Sequence, residues 1–110
     1  MSYKIEYNHK GKISGGFELP ASKSISNRVL IINALSGSDK SVANLAKCDD
    51  TDVMVKALAS DSHLVDIGAA GTSMRFLTAY LSIKPGGWII TGSQRMKERP
   101  IQILVDALRS

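Results

Sequence analysis

The sequence is poor in several residue types, and each shortage argues against a class of protein. Cys48 is the one cysteine of the 110 residues, so no disulfide can form within the chain, and we expect a cytoplasmic protein. Aromatic residues make up 5% of the chain, too few for the stacking surfaces that bind single-stranded nucleic acid. No apolar run approaches the roughly 20 residues that cross a bilayer. We therefore expect neither a nucleic-acid partner nor a membrane partner.

The rest of the composition is that of one modest globular domain with a mild positive charge. Hydrophobic residues make up 44%, charged residues 22%, and the net charge is +4, which suits an anionic ligand. Strand-like and helix-like segments alternate, which predicts the α/β class. The predicted strands are 3–8, 41–46, 63–67 and 88–91, with a further extended segment at 12–19. The predicted helices run from residue 22 or 24 to 35 and over 51–59, 72–82 and 100–108. The first and third helices are apolar nearly all round, which predicts burial on most sides.

Residues 22–28 combine two cations and three hydroxyls without an acid, directly before an apolar helical run. The free N–H groups and the positive dipole end of a helix start already favour an anion. Lys23 and Arg28 add full charges, and Ser24 and Ser26 add hydroxyl donors. The stretch therefore predicts a site for a phosphorylated small molecule.

Two further helix starts share this chemistry. Gly71 and Thr72 open the third predicted helix, with Arg75 one turn further on, and the basic segment 95–99 precedes the last helix. Gly71 lacks a side chain where a ligand can approach the backbone. Because each start follows an extended segment, the three can meet at one edge of the fold. The hypothesis is a site of four cations: Lys23, Arg28, Arg75 and Arg99.

Each of these residues also has a structural interpretation. Lys23, Arg28 and the segment 95–99 can be solvated surface, and Gly68 and Gly71 can serve only a turn. Arg75 lies in an apolar helix and needs a carboxylate or ligand partner, because an unpaired buried guanidinium is costly. Of the two, a structural partner is favoured over a ligand.

Three other groups of polar residues are predicted to be structural. Asp49 or Asp50 caps the second helix rather than forming an acid–base pair. Cys48 is predicted to be inert packing, and His63 a surface or internally satisfied residue.

Three motifs, in order along the chain, resemble those of the 5-enolpyruvylshikimate-3-phosphate synthase family. Residues 19–28 (LPASKSISNR) resemble the first motif and residues 68–75 (GAAGTSMR) the second. Residues 91–92 (TG) and 95–100 (RMKERP), followed by 104–108 (LVDAL), resemble the third. The resemblance covers the chain from about residue 15 onward. It implies an enzyme that transfers the enolpyruvyl group of phosphoenolpyruvate to the 5-hydroxyl of shikimate 3-phosphate and releases phosphate, without a metal or an organic cofactor.

The resemblance also implies roles for individual residues. Lys23, Ser24 and Arg28 would contact shikimate 3-phosphate, and Lys23 would also reach phosphoenolpyruvate. Gly71, through its backbone, and Arg99 would contact phosphoenolpyruvate. Two positions would give further support to the site: Thr72 and Arg75.

The chain departs from the family pattern at two positions. Ala69 stands where the family commonly has Asn, so no role is carried over there. Phe76 stands where the family often has Pro, and its ring is expected to alter how Gly71 is placed.

The family's fold, by the same resemblance, has two similar domains of repeated strand and helix units with buried helices, and its active site lies between them. Residues 1–20 would belong to the far domain and residues 21–110 to part of the near, substrate-binding domain. The far domain would hold the acid–base groups, so no catalytic residue is assigned here. The chain is expected to be an N-terminal portion, inactive alone and prone to self-association.

Three alternatives remain open. A related transferase acting on UDP-N-acetylglucosamine has Lys-Asn where this chain has Lys23 and Ser24, and the Ser-Asn-Arg of residues 26–28 favours shikimate 3-phosphate. A non-catalytic phosphate-binding module would use the same helix starts. A basic nucleic-acid binder would show steeply salt-dependent affinity.

Overall fold

The computed structural model describes residues 1–8 and 10–110. Its helices are α1 (Lys23–Leu35), α2 (Asp49–Ala59), α3 (Gly71–Ser82), α4 (Gln94–Lys97) and α5 (Gln102–Arg109). Its strands are β1 (Leu64–Asp66) and β2 (Ile89–Thr91). This mixture of helices with a small parallel sheet agrees with the predicted α/β class. None of these helices combines the length and apolar character that crossing a membrane requires.

The two strands form a parallel pair with α3 in the crossover between them. Leu64 lies opposite Ile89, and Asp66 lies opposite Thr91. Parallel strands run in the same direction, so the segments that follow their carboxyl ends leave from one edge of the sheet. The start of α3 and the start of α4 are therefore neighbours.

The two loops at this edge are joined by backbone hydrogen bonds. Gly68 adopts a φ of 55°, a left-handed conformation that favours glycine, and its N–H donates to Oδ1 of Asp66 at 2.9 Å. The N–H of Ser93 donates to the carbonyl of Gly68 at 2.9 Å. A Cβ on Gly92 would lie 2.7 Å from that carbonyl, so a glycine is required for this close approach.

The hydrophobic core forms where α1, α2, α3 and α4 meet one face of the sheet. Its buried members are Leu30, Met54, Val65, Ile67, Met74, Leu77, Leu81 and Met96. Met96 anchors the short helix α4, whose start is capped by the hydroxyl of Ser93 accepting from the N–H of Met96 at 3.2 Å. The basic segment 95–99 is therefore held in place by one buried apolar residue within it.

The local signals for α1 are confirmed. The hydroxyl of Ser22 accepts the N–H of Ile25 at 3.3 Å, and Gly37, with a φ of 67°, follows the last turn. The predicted burial on all sides is wrong for this helix, since Ile25 is 65% exposed and Ile32 is 64% exposed. Only one side of α1 packs against α2 and α3. In α3, by contrast, no residue from Gly71 to Leu81 is exposed.

Two of the predicted strands are wrong. Residues 3–8 and 41–46 form no strand, and residues 12–19 pair with nothing in the described chain. Residues 1–8 and 10–20 are all exposed, including Tyr3 at 85% and Phe17 at 85%. An alternating pattern forms a strand only when a partner supplies the hydrogen-bond ladder.

Candidate anion-binding cleft

The residues predicted from three separate helix starts line one cleft of about 370 Å³. The predicted residues in its wall are Lys23, Ser24, Arg28, Gly71, Thr72, Arg75 and Arg99. Asp50, Ala69 and Phe76 complete the wall. The fold thus brings these seven residues, although not Ser26, to one place, and the role of each in binding stays a prediction.

Lys23 is the first residue of α1 and has a carboxylate partner. Its Nζ donates to Oδ2 of Asp50 at 3.1 Å. The side chain of Lys23 is 48% exposed, whereas that of Asp50 is 11% exposed. The carboxylate is held in the wall of the cleft, and the ammonium group on its flexible stem remains accessible to a ligand.

Asp50 does not cap its own helix, so the predicted capping role is wrong. Residue 48 holds the N-cap position of α2, and Asp50 lies within the first turn. Its Oδ1 accepts the N–H of Ser73 in the first turn of α3 at 3.0 Å. The Ser73 hydroxyl lies 2.5 Å from the same oxygen and 2.7 Å from the Asp50 carbonyl. A residue of α2 therefore caps α3, a contact between positions 23 apart that local sequence patterns do not reveal.

The surroundings of Asp50 keep it ionised. Burial raises its pKa, but hydrogen bonds from the Ser73 hydroxyl, from Lys23 and from the Ser73 N–H lower it, as does the charge of Lys23. The net effect is a pKa below the ordinary value of 3.8. At neutral pH the group is a carboxylate that offsets one of the cations in the cleft.

Arg75 has structural partners, but they are carbonyl groups rather than the expected carboxylate. Its Nη1 donates to the carbonyl of Gly71 at 3.2 Å, and its Nη2 donates to the carbonyl of Pro100 at 3.0 Å. The guanidinium therefore connects the first turn of α3 to the segment that leads into α5. It keeps its full charge at the edge of the cleft.

Gly71 makes room for Arg99. A Cβ on residue 71 would overlap Nη1 of Arg99 and lie 3.1 Å from its Cζ. The N–H of Arg99 donates to the carbonyl of Met96 at 3.2 Å, so the end of α4 directs this arginine toward the start of α3. The absent side chain thus serves the close approach of a cation to the backbone of α3.

Arg28 follows Ser24 by one turn of α1. Its Nη1 donates to the carbonyl of Ser24 at 3.0 Å, and its Cζ lies 5.5 Å from the centre of the Phe76 ring on α3. Phe76 therefore contacts Arg28, which sequence reasoning did not foresee.

Two polar residues of the 22–28 stretch point inward. The hydroxyl of Ser26 is buried and accepts the N–H of Ala46 at 2.9 Å, so its predicted role as a donor to an anion is wrong. Asn27 is fully buried, and its Oδ1 accepts the hydroxyl of Thr51 at 2.9 Å. The first contact holds α1 against the segment that precedes α2, and the second holds it against α2 itself. Positions 23, 24 and 28 face the cleft, whereas 26 and 27 face the core.

The structure also places His63 and Cys48, the other two polar residues that were predicted to be structural. The prediction for His63 is confirmed, since its Nδ1 lies 2.6 Å from the carbonyl of Gly87 and its ring stacks on Trp88 with 4.2 Å between centres. Cys48 is half-buried and its Sγ donates to the hydroxyl of Thr51 at 3.3 Å.

The cleft carries a net positive charge. Lys23, Arg28, Arg75 and Arg99 line it together with the single carboxylate of Asp50. Among residues 1–8 and 10–110, the ion pairs are Lys23 with Asp50 and, far from the cleft, Lys4 with Glu6. The three arginines are therefore left without a carboxylate partner in this part of the chain. Phosphate and carboxylate groups are the ligands that such an arrangement binds.

The fold and the cleft define an α/β protein whose site suits an anionic small molecule. The chain belongs to the EPSP synthase (3-phosphoshikimate 1-carboxyvinyltransferase) family, whose family model matches residues 7–61 and 57–110. No solved structure matches the chain significantly.

Curated relatives carry the same name. A 3-phosphoshikimate 1-carboxyvinyltransferase of Bacteroides fragilis strain YCH46 is 62% identical over 98 residues, which cover 89% of this chain and 24% of the relative. A relative of the same name from Hamiltonella defensa is 39% identical over 135 positions, which cover 99% of this chain and 32% of the relative. The chain thus spans about a quarter to a third of the length of these relatives.

Some relatives carry residues within the aligned region that this chain lacks. The two matches of the family model overlap at residues 57–61, where α2 ends. The Hamiltonella defensa alignment is 135 positions long, more than the 110 residues of this chain, whereas the Bacteroides fragilis alignment is 98 positions long. The overlap of the two matches indicates that these residues fall near the connection between α2 and β1.

Proposed function

We propose that this chain forms the substrate-binding part of an enzyme that transfers the enolpyruvyl group of phosphoenolpyruvate to the 5-hydroxyl of shikimate 3-phosphate. The observation that carries the proposal is the cleft, in which four cations from segments 19–28, 68–75 and 95–100 converge beside one carboxylate. Both proposed substrates are small molecules with phosphate and carboxylate groups. The cleft matches them in charge.

The proposed roles are those that the resemblance to the family motifs implies, and the residues of each group lie on one side of the cleft. Lys23, Ser24 and Arg28 lie on the α1 side and would bind shikimate 3-phosphate. Gly71 and Arg99 lie on the α3 and α4 side and would bind phosphoenolpyruvate. Lys23 would reach both, since its exposed ammonium can leave or share its contact with Asp50 when an anion arrives.

Two further residues would support these contacts. Arg75 would add charge while holding the α5 segment in place, and Thr72, half-buried in the first turn of α3, would shape the floor.

The reaction itself forms one C–O bond and breaks another. The 5-hydroxyl oxygen bonds to C2 of phosphoenolpyruvate, its proton passes to a base, and C3 takes a proton. The tetrahedral adduct then loses the proton from C3 and the phosphate from C2, which restores the double bond. The cations of this cleft would hold the two substrates together and stabilise the departing phosphate. We assign the acid and base to the remainder of a longer protein.

The domain assignment is part of the same proposal. Residues 1–20 would pack within a second domain, a proposal supported by the alternating apolar side chains of residues 3–8 and by the exposure of residues 1–8 and 10–20. Residues 21–110 would form part of the near domain, in a fold of repeated strand and helix units. The exposed face of α1 would be covered in that assembly. We place the protein in the cytoplasm, as the single cysteine of this chain suggests.

A chimera tests the proposed activity. The first 98 aligned residues of the Bacteroides fragilis relative are replaced by the matching part of this chain, and phosphate release is measured with phosphoenolpyruvate and shikimate 3-phosphate. We expect activity from the chimera and none from this chain alone. We expect Arg28→Gln to lower kcat/KM by about 10- to 100-fold, because a charge-assisted contact is lost.

Arg109→Gln is the matched control, because Arg109 is an exposed arginine at the end of α5 outside the cleft. An inactive chimera with normal folding, or equal losses in the two variants, would contradict the proposal. Activity with UDP-N-acetylglucosamine in place of shikimate 3-phosphate would assign the chain to the related transferase instead.

A further inference from the structure

Phe76 and Arg28 occupy a shared wall between two concavities. One is the polar cleft, and the other is an apolar groove of about 480 Å³ between α1 and α3. Arg28 and Phe76 line both, whereas the other groove residues do not reach the cleft. The pair therefore separates a charged space from an apolar one.

The geometry of Arg28 gives its guanidinium two partners on different helices. Nη1 donates to the carbonyl of Ser24 on its own helix at 3.0 Å. The ring of Phe76 on α3 lies beneath Cζ, with 5.5 Å to its centre, a distance at which an aromatic face attracts a cation. The carbonyl sets where one N–H points, and the ring sets the position of the whole group.

We propose that Phe76 is a positioning residue that holds the guanidinium of Arg28 at the wall of the cleft, ready to bind an anionic group. This inference rests on the proposed function of the cleft. An aromatic face attracts the charge without accepting its N–H groups in ordinary hydrogen bonds. Of the five N–H donors of a guanidinium, only one contacts Ser24, which leaves the others for a ligand oxygen.

Lys23 shows the opposite arrangement on the same helix. Its ammonium is held by the carboxylate of Asp50, so an incoming anion must compete with a charge already present. Arg28 is held by a neutral ring and a carbonyl, so its full charge faces the ligand. Replacing the ring by an aliphatic side chain would keep the apolar wall and remove the attraction that orients the cation.

The first test is spectroscopic and uses the 110-residue chain without any ligand. A cation above an aromatic face lies in the shielding region of the ring, so the side-chain protons of Arg28 should resonate upfield of those of the exposed Arg109. We expect Phe76→Leu to abolish this upfield shift and Phe76→Tyr to retain it.

Tyr80→Leu is the matched control. Tyr80 lies on the same helix, lines the groove but not the cleft, and has Lys84 rather than Arg28 near its ring, with 5.3 Å to the centre. This variant should leave the Arg28 shift unchanged. If the wild type is folded, as shown by dispersed amide signals, and its Arg28 signals match those of Arg109, the inference is wrong, and this outcome requires no variant to fold.

The second test is a titration with inorganic phosphate, followed at the Nε–H signal of Arg28. We expect Phe76→Leu to weaken phosphate binding by about two- to five-fold, and Phe76→Tyr and Tyr80→Leu to leave it unchanged. If the wild type binds phosphate and Phe76→Leu binds it equally well, the inference fails while the proposed function stands. If the folded wild type does not bind phosphate even at high concentration, the proposed function fails and the positioning role fails with it.

Discussion

The Asp50–Ser73 contact yields the sharpest stability prediction. Ser73 is fully buried, and its hydroxyl lies 2.5 Å from Oδ1 of an ionised carboxylate. Removing a hydrogen bond to a charged group costs about 1.5–3 kcal/mol, and the better helix propensity of alanine returns about 0.5 kcal/mol. We therefore expect Ser73→Ala to lower the free energy of unfolding by about 1–2.5 kcal/mol near neutral pH, measured by urea denaturation.

The pH dependence of this loss follows from the pKa of Asp50. That pKa is lowered in the folded chain, so the ionised carboxylate stabilises the fold. This contribution is fully present at pH values above 3.8, the ordinary pKa of the group. The contribution is lost as the pH falls through the folded pKa. The difference in stability between wild type and Ser73→Ala should thus shrink below about pH 3.8.

Ser82→Ala is the control for this prediction. Ser82 is the last residue of α3, is exposed, and donates its hydroxyl to the carbonyl of Ala79 at 2.7 Å. Its loss should stay within about 0.5 kcal/mol. Equal losses in Ser73→Ala and Ser82→Ala, or a loss in Ser73→Ala that does not shrink between pH 7 and the lowest pH at which both proteins remain folded, would refute the assignment of Asp50 as the cap of α3.

Three further predictions concern the cleft and the groove. Gly71→Ala should change the free energy of unfolding by less than about 1 kcal/mol, because the atoms that its Cβ would meet belong to the flexible side chain of Arg99. The variant should nevertheless displace Arg99 and shift its side-chain NMR signals, and unchanged signals would contradict this. Arg75→Lys should speed amide hydrogen exchange in α5, because lysine cannot donate to Gly71 and Pro100 together; unchanged exchange would count against it. The isolated chain should self-associate through its apolar groove, and Ile32→Lys should reduce this self-association, measured by sedimentation velocity. A monomeric wild type would show that the groove does not drive self-association.

The helix starts were predictable because their signals are local. Ser22 caps α1, Gly37 follows its end, and Pro100 precedes α5 within the few residues that a cap or turn involves. The three basic helix starts were likewise visible along the chain. The neighbouring starts of α3 and α4 follow from the parallel pairing of β1 and β2, whereas the start of α1 joins them through the contact between Lys23 and Asp50.

The errors arose where an element depends on distant residues. The alternating pattern of residues 3–8 matches a strand, but no described segment forms a hydrogen-bond ladder with it, so it forms no strand and is exposed. The apolar surface of α1 indicated burial, yet only one side has neighbours in this chain. A hydrophobic pattern indicates which face of a segment can be buried, but the surface that covers this face belongs to other parts of the protein.

By itself, the sequence determined the approximate extents of α1, α2, α3 and α5, the family and the charge of the 22–28 stretch, because caps, glycines and motifs act over a few neighbouring residues. It did not reveal the short helix α4. Only the tertiary structure decided which of those residues face the cleft. It turned Ser26 and Asn27 inward, paired Lys23 with Asp50, and placed Phe76 beneath Arg28. Each of these contacts joins residues at least 20 positions apart, and it is the packing of helices against one another that sets such distances.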